Sequence, residues 1–226
     1  MATALREPDG LLAMGGDLSA ERLLNAYRNG IFPWFNPGEP ILWWAPDPRT
    51  VFDTGSFRFS RSNRRSLRSL SHCRIRIDDD FAAVMRGCAE TPRAGQRGTW
   101  ISPAMIAAYT RLHRLGHAHS IGVYEDDTLI GGLYGVAPGR MFFGESMFSA
   151  RPGASKLALA ATCHLLAQRG FPLLDAQVHN PHLALLGASS LSRKDFMAQV
   201  APLVASDGVI GSRSELPAPD VATLLG

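Results

Sequence analysis

Three polar residues interrupt two otherwise apolar stretches. Glu145 sits among Met141, Phe142, Phe143, Met147 and Phe148, while Asp175 and Gln177 sit in the run Phe171-Pro172-Leu173-Leu174-Asp175-Ala176-Gln177-Val178. Short apolar runs of this kind predict strands. Side chains two apart on a strand share a face, which puts Asp175 beside Gln177. A carboxylate on a largely buried strand is costly unless it is paired or used. Satisfied core groups would meet that condition, and so would a reactive site. Two such strands in one domain favour the site. The chemistry within reach is acyl transfer. A carboxylate can orient a nucleophile or bind a positive charge, and an amide can donate and accept hydrogen bonds without titrating. The working centre is therefore expected between Gly144 and Gln177.

Other residues could bind rather than react. The loop Ser149-Ala150-Arg151-Pro152-Gly153-Ala154-Ser155 precedes a predicted helix, and a helix N-terminus offers free N–H groups to an anion, with Lys156 adding charge. The tryptophans are Trp34, Trp43, Trp44 and Trp100, three of them in a Pro-rich stretch; they suit core packing or stacking on a base. Arg58, Arg61, Arg64, Arg65, Arg68, Arg74 and Arg76 crowd one stretch with no acidic residue between Arg58 and Ile77. That is either a solvated face or a phosphate-facing patch. Cys73, Cys88 and Cys163 are widely spaced, without a C-x-x-C pair, so neither a disulfide framework nor a zinc site is expected.

These residues need elements to hold them. A helix opens at Asp17–Glu21, capped by Asp17 or Ser19, carries Leu23, Leu24 and Tyr27 on one stripe, and ends at Gly30. The Pro- and aromatic-rich segment 31–49 follows, and Pro46 and Pro48 mark a join between a small N-terminal domain (1–48) and a main domain (49–226). In the main domain, 102–115 reads as a helix capped by Ser102 with Pro103 in its first turn. Strands are expected at 120–124, 128–136, 140–148 and 171–178, with a helix at 155–169 capped by Ser155. Short helices are expected at 182–186 and 193–204. Hairpins followed by strand–helix–strand indicate an α+β fold: a mixed sheet with flanking helices.

Composition narrows the class. The chain has 226 residues, 46% hydrophobic and 19% charged, with a net charge of +3, which suits a folded domain with its own core. No apolar run is long enough to span a bilayer, and MATALREPDG lacks the apolar region of a signal peptide. A soluble, cytoplasmic protein with no membrane association is the expectation.

Taken together, the segments resemble the leucyl/phenylalanyl-tRNA–protein transferases almost end to end. The resemblance rests on LREPDGLLAMGGDLSAERLLNAYRNGIFPWF (5–35), PILWWAPDPR (40–49), GTWIS (98–102), AYTRLHRLGHAHSIGVY (108–124), GGLYGV (131–136), FFGESMFS (142–149), ASKLAL (154–159) and LLDAQVHNPHLALLGA (173–188). It implies transfer of leucine, phenylalanine or methionine from charged tRNA to proteins or peptides with N-terminal lysine or arginine, marking them for degradation under the N-end rule. It implies a small N-terminal domain before a GNAT-like acyltransferase domain, with no metal and no small cofactor. A monomer is expected.

The resemblance also implies roles. Trp34 and Trp100 would stack on the terminal adenosine. Glu145, in GESMF, would hold the aminoacyl-adenosine end. Asp175 and Gln177 match the D-x-Q motif and would position the acceptor amine. Leu133 and the helix after Ser155 would contact the amino-acid side chain. Leu133 stands where methionine is common, and Thr162 where a larger apolar residue can occur, which leaves the choice between leucine and phenylalanine open. Arg58, Arg61, Arg64, Arg65 and Arg68 would hold the tRNA backbone. The main rival is an acyl-CoA-dependent GNAT N-acetyltransferase, whose R/Q-x-x-G-x-G/A spacing the 151–155 loop lacks. Transfer to cell-wall precursors would call for a longer, duplicated chain. An RNA-binding module would leave the polar residues of the apolar strands unexplained.

Overall fold

A computed structural model describes residues 4–91, 99–208, 210 and 218–226; Met1 to Thr3 and Gly98, the first residue of the GTWIS stretch, lie outside these. Among the described residues, no helix is long and apolar enough to cross a membrane.

The N-terminal elements are β1 (Leu11–Met14), α1 (Ala20–Arg28), β2 (Phe32–Pro33) and β3 (Leu42–Trp44), the strands forming an antiparallel sheet in the order β1-β3-β2. Of the two candidate caps, Ser19 is the one used: its hydroxyl accepts the Arg22 N–H, while Asp17 accepts the Ser19 N–H. Gly30 takes a left-handed φ of 67°, which lets the chain leave the helix without a Cβ clash.

The rest builds on one larger sheet. Its elements are β4 (Arg49–Asp53), α2 (Arg61–Leu67) with a 3-10 turn after it, β5 (Arg74–Ile77), α3 (Phe81–Glu90), α4 (Pro103–Arg114), β6 (Ala118–Glu125), β7 (Thr128–Val136) and β8 (Phe142–Ser149). Then come α5 (Ala154–Gln168), β9 (Leu173–Gln177), α6 (Pro181–Leu185), β10 (Ser189–Leu191), α7 (Arg193–Val204) and α8 (Val221–Leu225). The seven strands run β10-β4-β9-β8-β7-β6-β5, antiparallel at every step except β8/β9, which α5 joins as a parallel crossover.

Alternation along the strands sends neighbours into two cores. Leu133 and Phe142 join Leu157, Leu166 and Leu174 on the α5 face; Tyr134 and Phe143 join Phe81, Met105 and Tyr109 on the face covered by α3 and α4. Leu23 and Tyr27 of α1 are part of the second core, so the N-terminal elements share a hydrophobic interior with the large sheet.

The α+β reading and mixed sheet hold. Helices α4 and α7 begin and end close to expectation, with Ser102 and Ser192 capping them. Two local readings change. Helix α5 starts at Ala154 behind Gly153, whose φ is 92°, and Ser155 lies inside the first turn rather than capping it. The basic stretch folds into α2 and β5, and the strands β4 and β10 complete one side of the sheet. Strand β4 hides from pattern reading because its polar Arg49 and Thr50 are buried by tertiary partners.

Candidate active site

The site forms where parallel neighbours part. β8 and β9 pair only at Phe142↔Leu174 and Phe143↔Asp175, and then diverge. Across β8, Tyr134 pairs Ser146 and Gly135 pairs Gly144, which leaves Glu145 as the extra residue of a bulge. A bulge re-aims the side chain it carries. Gly135 makes this possible: a Cβ there would lie 2.3 Å from the Phe143 carbonyl oxygen. On β9 the last residue, Gln177, adopts φ 64°, a left-handed conformation uncommon for a residue with a Cβ.

These two distortions bring the predicted polar residues together. Gln177 Nε2 donates to Glu145 Oε1 at 2.6 Å, and the Tyr109 hydroxyl donates to Glu145 Oε2 at 3.2 Å. The Tyr27 hydroxyl, from α1, lies against that of Tyr109 in a buried contact. Glu145 is half-buried. Desolvation by its apolar surroundings pushes its pKa up to about 7; hydrogen bonds from Tyr27, Tyr109 and Gln177 pull it down, and the charge of Asp175 adds to the rise. Desolvation, and then the charge of Glu145, push both phenols well above their ordinary range, so each stays a donor.

Asp175 belongs to this cluster from below. It is fully buried and forms a bidentate pair with Arg49, Nε to Oδ1 at 2.9 Å and Nη2 to Oδ2 at 2.6 Å. Its Oδ1 also accepts the Gln177 N–H at 2.8 Å. The carboxylate thus touches Gln177 through the backbone and does not line the open cleft.

That cleft, of about 250 Å³, is walled by Phe32, Trp34, Trp100, Glu145, Gln177 and Leu183 among others. Trp34 is 39% exposed and leans on Trp44 with ring centroids 5.8 Å apart, while Trp100 is only 9% exposed, so one ring shows a face to solvent and the other is a buried wall. The Trp44 indole N–H holds the Trp34 carbonyl at 2.6 Å, tying that loop to β3. A flat aromatic surface beside a carboxylate and an amide can stack a base and hydrogen-bond its sugar or an amine.

The remaining predicted residues lie elsewhere. Leu133 is buried in the α5 core, and Thr162, fully buried in α5, returns its hydroxyl to the Ala158 carbonyl at 2.7 Å. The Ser149 hydroxyl donates to Ser155 Oγ and accepts the Ser155 N–H, both at 2.8 Å. With the Ala154 N–H bonded to the Arg151 carbonyl and Lys156 turned to Asn63, the loop before α5 offers little to a pyrophosphate. Arg58, Arg61, Arg65 and Arg68 are exposed, while half-buried Arg64 donates to the Gly226 carbonyl at 2.6 Å. Arg76 is taken by Asp79 and Asp127 and lies over the Tyr124 ring.

Among the described residues, His72, Cys73 and Glu125 could offer ligand atoms to a metal ion, but Glu125 is already bonded to His72 and Arg151. The sequence reading missed Arg49, Tyr27 and Tyr109. The tyrosines occupy core positions of helical stripes, where a hydroxyl needs a partner, and that need is the signal that finds them.

Known proteins carry the same chain pattern. The family model described as Leucyl/phenylalanyl-tRNA protein transferase matches residues 51–201, and the model of that transferase's N-terminal domain matches residues 16–47. A leucyl/phenylalanyl-tRNA–protein transferase of Xanthomonas axonopodis pv. citri (strain 306) is 58% identical over 94% of this chain and 85% of its own length. The one from Xylella fastidiosa (strain 9a5c) is 59% identical over 89% of this chain and 82% of its own. Among solved structures, the C-terminal domain of a putative lysylphosphatidylglycerol synthetase from Agrobacterium fabrum covers 71% of this chain and 52% of its own at 12% identity and a TM-score of 0.39.

Proposed function

The chain belongs to the leucyl/phenylalanyl-tRNA–protein transferase family, an aminoacyltransferase that acts on tRNA and protein, and on that premise we propose how its site works. The donor is leucyl-, phenylalanyl- or methionyl-tRNA, and the acceptor is a protein or peptide beginning with lysine or arginine. Transfer marks the product for degradation. The N-acetyltransferase rival has no support from the relatives.

The observation that carries this reading is the cleft with Trp34 and Trp100 on its walls and the Glu145–Gln177 contact beside them. The terminal adenine stacks on the indoles. Glu145 holds the aminoacyl-ribose end and, as a carboxylate, attracts the acceptor's basic side chain or amine. Gln177 aligns the amine as it attacks the ester carbonyl. The C–N bond forms, the bond to the ribose oxygen breaks, and the amine's proton is lost as that oxygen gains one. The ester is already activated, so alignment supplies much of the rate. Asp175 acts through Gln177, since it is buried and paired with Arg49. Leu133, packed in the α5 core, and Ser155, bonded to Ser149, act on the amino-acid pocket indirectly, since neither walls the cleft.

Arg58, Arg61, Arg64, Arg65 and Arg68 bind the tRNA backbone; the exposure of four of them supports this. We also infer a division at 48/49, since the small sheet ends at Trp44 and β4 opens at Arg49. The second domain is GNAT-like, a reading supported by the parallel pair β8/β9 that parts beside the cleft. The protein acts as a cytoplasmic monomer without a metal or cofactor. The test is transfer of labelled leucine from tRNA to a peptide beginning with arginine, against one beginning with alanine. Label on the arginine peptide alone supports the acceptor rule, and equal labelling of both overturns it.

A further inference from the structure

We propose that Arg49 is a positioning residue for the transfer reaction: acting through Asp175, it fixes the turn that carries the Gln177 amide to Glu145. The inference rests on the reading of Gln177 as the group that aligns the acceptor amine.

Arg49 is 1% exposed and Asp175 is 0% exposed, so neither meets solvent. The guanidinium is held on every side. Two of its nitrogens grip the two oxygens of Asp175 at 2.9 and 2.6 Å. The third, Nη1, donates to the Gly30 carbonyl at 2.8 Å, where the chain leaves α1. The rings of Phe32 and Phe196 lie 4.9 and 4.6 Å from its central carbon. One side chain therefore ties the N-terminal elements and α7 to the last turn of β9.

That grip determines where Gln177 goes. With both Asp175 oxygens fixed, Oδ1 stands 2.8 Å from the Gln177 N–H, and the short loop so closed accompanies the left-handed φ of 64°. A residue with a Cβ keeps such a backbone only when its surroundings impose it. The amide then reaches Glu145 at 2.6 Å. In an ordinary extended backbone the same side chain would be carried away from the bulge that presents Glu145. A planar fork can hold both carboxylate oxygens at once, and an ammonium group cannot. Arg49→Lys therefore keeps the charge and loses the geometry.

A purely structural ion pair would cost stability without acting through Gln177, and coupling separates the two. In single-turnover transfer of leucine to an arginine-initiated peptide, Arg49→Lys is expected to slow the step about 10- to 100-fold, with the peptide KM within about threefold. In a Gln177→Ala background the same change is expected to cost less than about threefold. An equal loss in both backgrounds overturns the proposal. So does a wild-type rate for Arg49→Lys while Gln177→Ala is slow, which leaves the reading of Gln177 standing. A wild-type rate for Gln177→Ala removes that reading and the role of Arg49 with it. If circular dichroism shows Arg49→Lys unfolded, Asp175→Asn is measured the same way: coupled slowing supports the proposal, and a wild-type rate overturns it.

Discussion

The interior of the site and the outer face of α2 use arginine in opposite ways. Arg49 is sealed between two rings with its guanidinium committed to Asp175 and Gly30. Arg58, Arg61, Arg65 and Arg68 stand in solvent, and Arg58 donates to the nearby Gly55 and Phe57 carbonyls. The buried arginine sets angles and distances. The exposed ones set a field, which suits a long phosphate backbone whose sequence is not read. Removing one partner inside should therefore be felt in fold and rate, and removing one outside only in salt-dependent affinity.

The largest effect is expected for Asp175→Leu, which strands the Arg49 charge in the core. A loss of about 3–5 kcal/mol in urea unfolding is expected, and most of it should return in the Arg49→Met/Asp175→Leu double variant. A single variant within about 0.5 kcal/mol of wild type would erase the contrast between the two regions.

Gln177→Ala comes next. Its single-turnover rate should fall about 100-fold while charged-tRNA affinity stays within about threefold. The outer face should do the reverse. Arg61→Ala, Arg65→Ala and Arg68→Ala together should flatten the plot of log affinity against log salt by roughly one unit per arginine, and leave the saturated rate unchanged. Affinity that stays flat between low and moderate salt in the wild type would remove the phosphate role altogether.

The smallest effect concerns pH. Glu145 is pushed above its ordinary 4.5 to about 7, so the folded state holds its proton more tightly than the unfolded chain does. Its contribution to stability is therefore present below about 4.5 and lost as pH rises to about 7. The charged form accepts from both Tyr109 and Gln177, so transfer should rise with pH through about 7. Glu145→Gln should flatten that limb. Tyr109→Phe, which removes a hydrogen bond that lowers the value, should move the limb to higher pH. A limb unmoved by either variant would assign the titration to another group.

Much of this was legible in the chain. Serines 19 and 102 cap helices as their positions predict, because capping is a local exchange between a side chain and nearby N–H groups. The apolar strands with Glu145, Asp175 and Gln177 are visible because a polar residue in such a run needs a reason. Ser155 as a cap was misplaced, since Gly153 takes the left-handed turn that starts α5. Arg49 was passed over in a stretch of prolines and aromatics, because its partner lies 126 residues away.

Residue type and period thus determined strands β6 to β9, helices α1 and α4 to α7 and the polar residues worth watching, while the quoted segments carried the family resemblance. Tertiary structure alone decided which of those residues meet. The bulge that turns Glu145 out of β8 depends on register with β7, and the turn that brings Gln177 to it is bound to a carboxylate held by Arg49. Such contacts join segments far apart in sequence, and no local period encodes the distance at which they close.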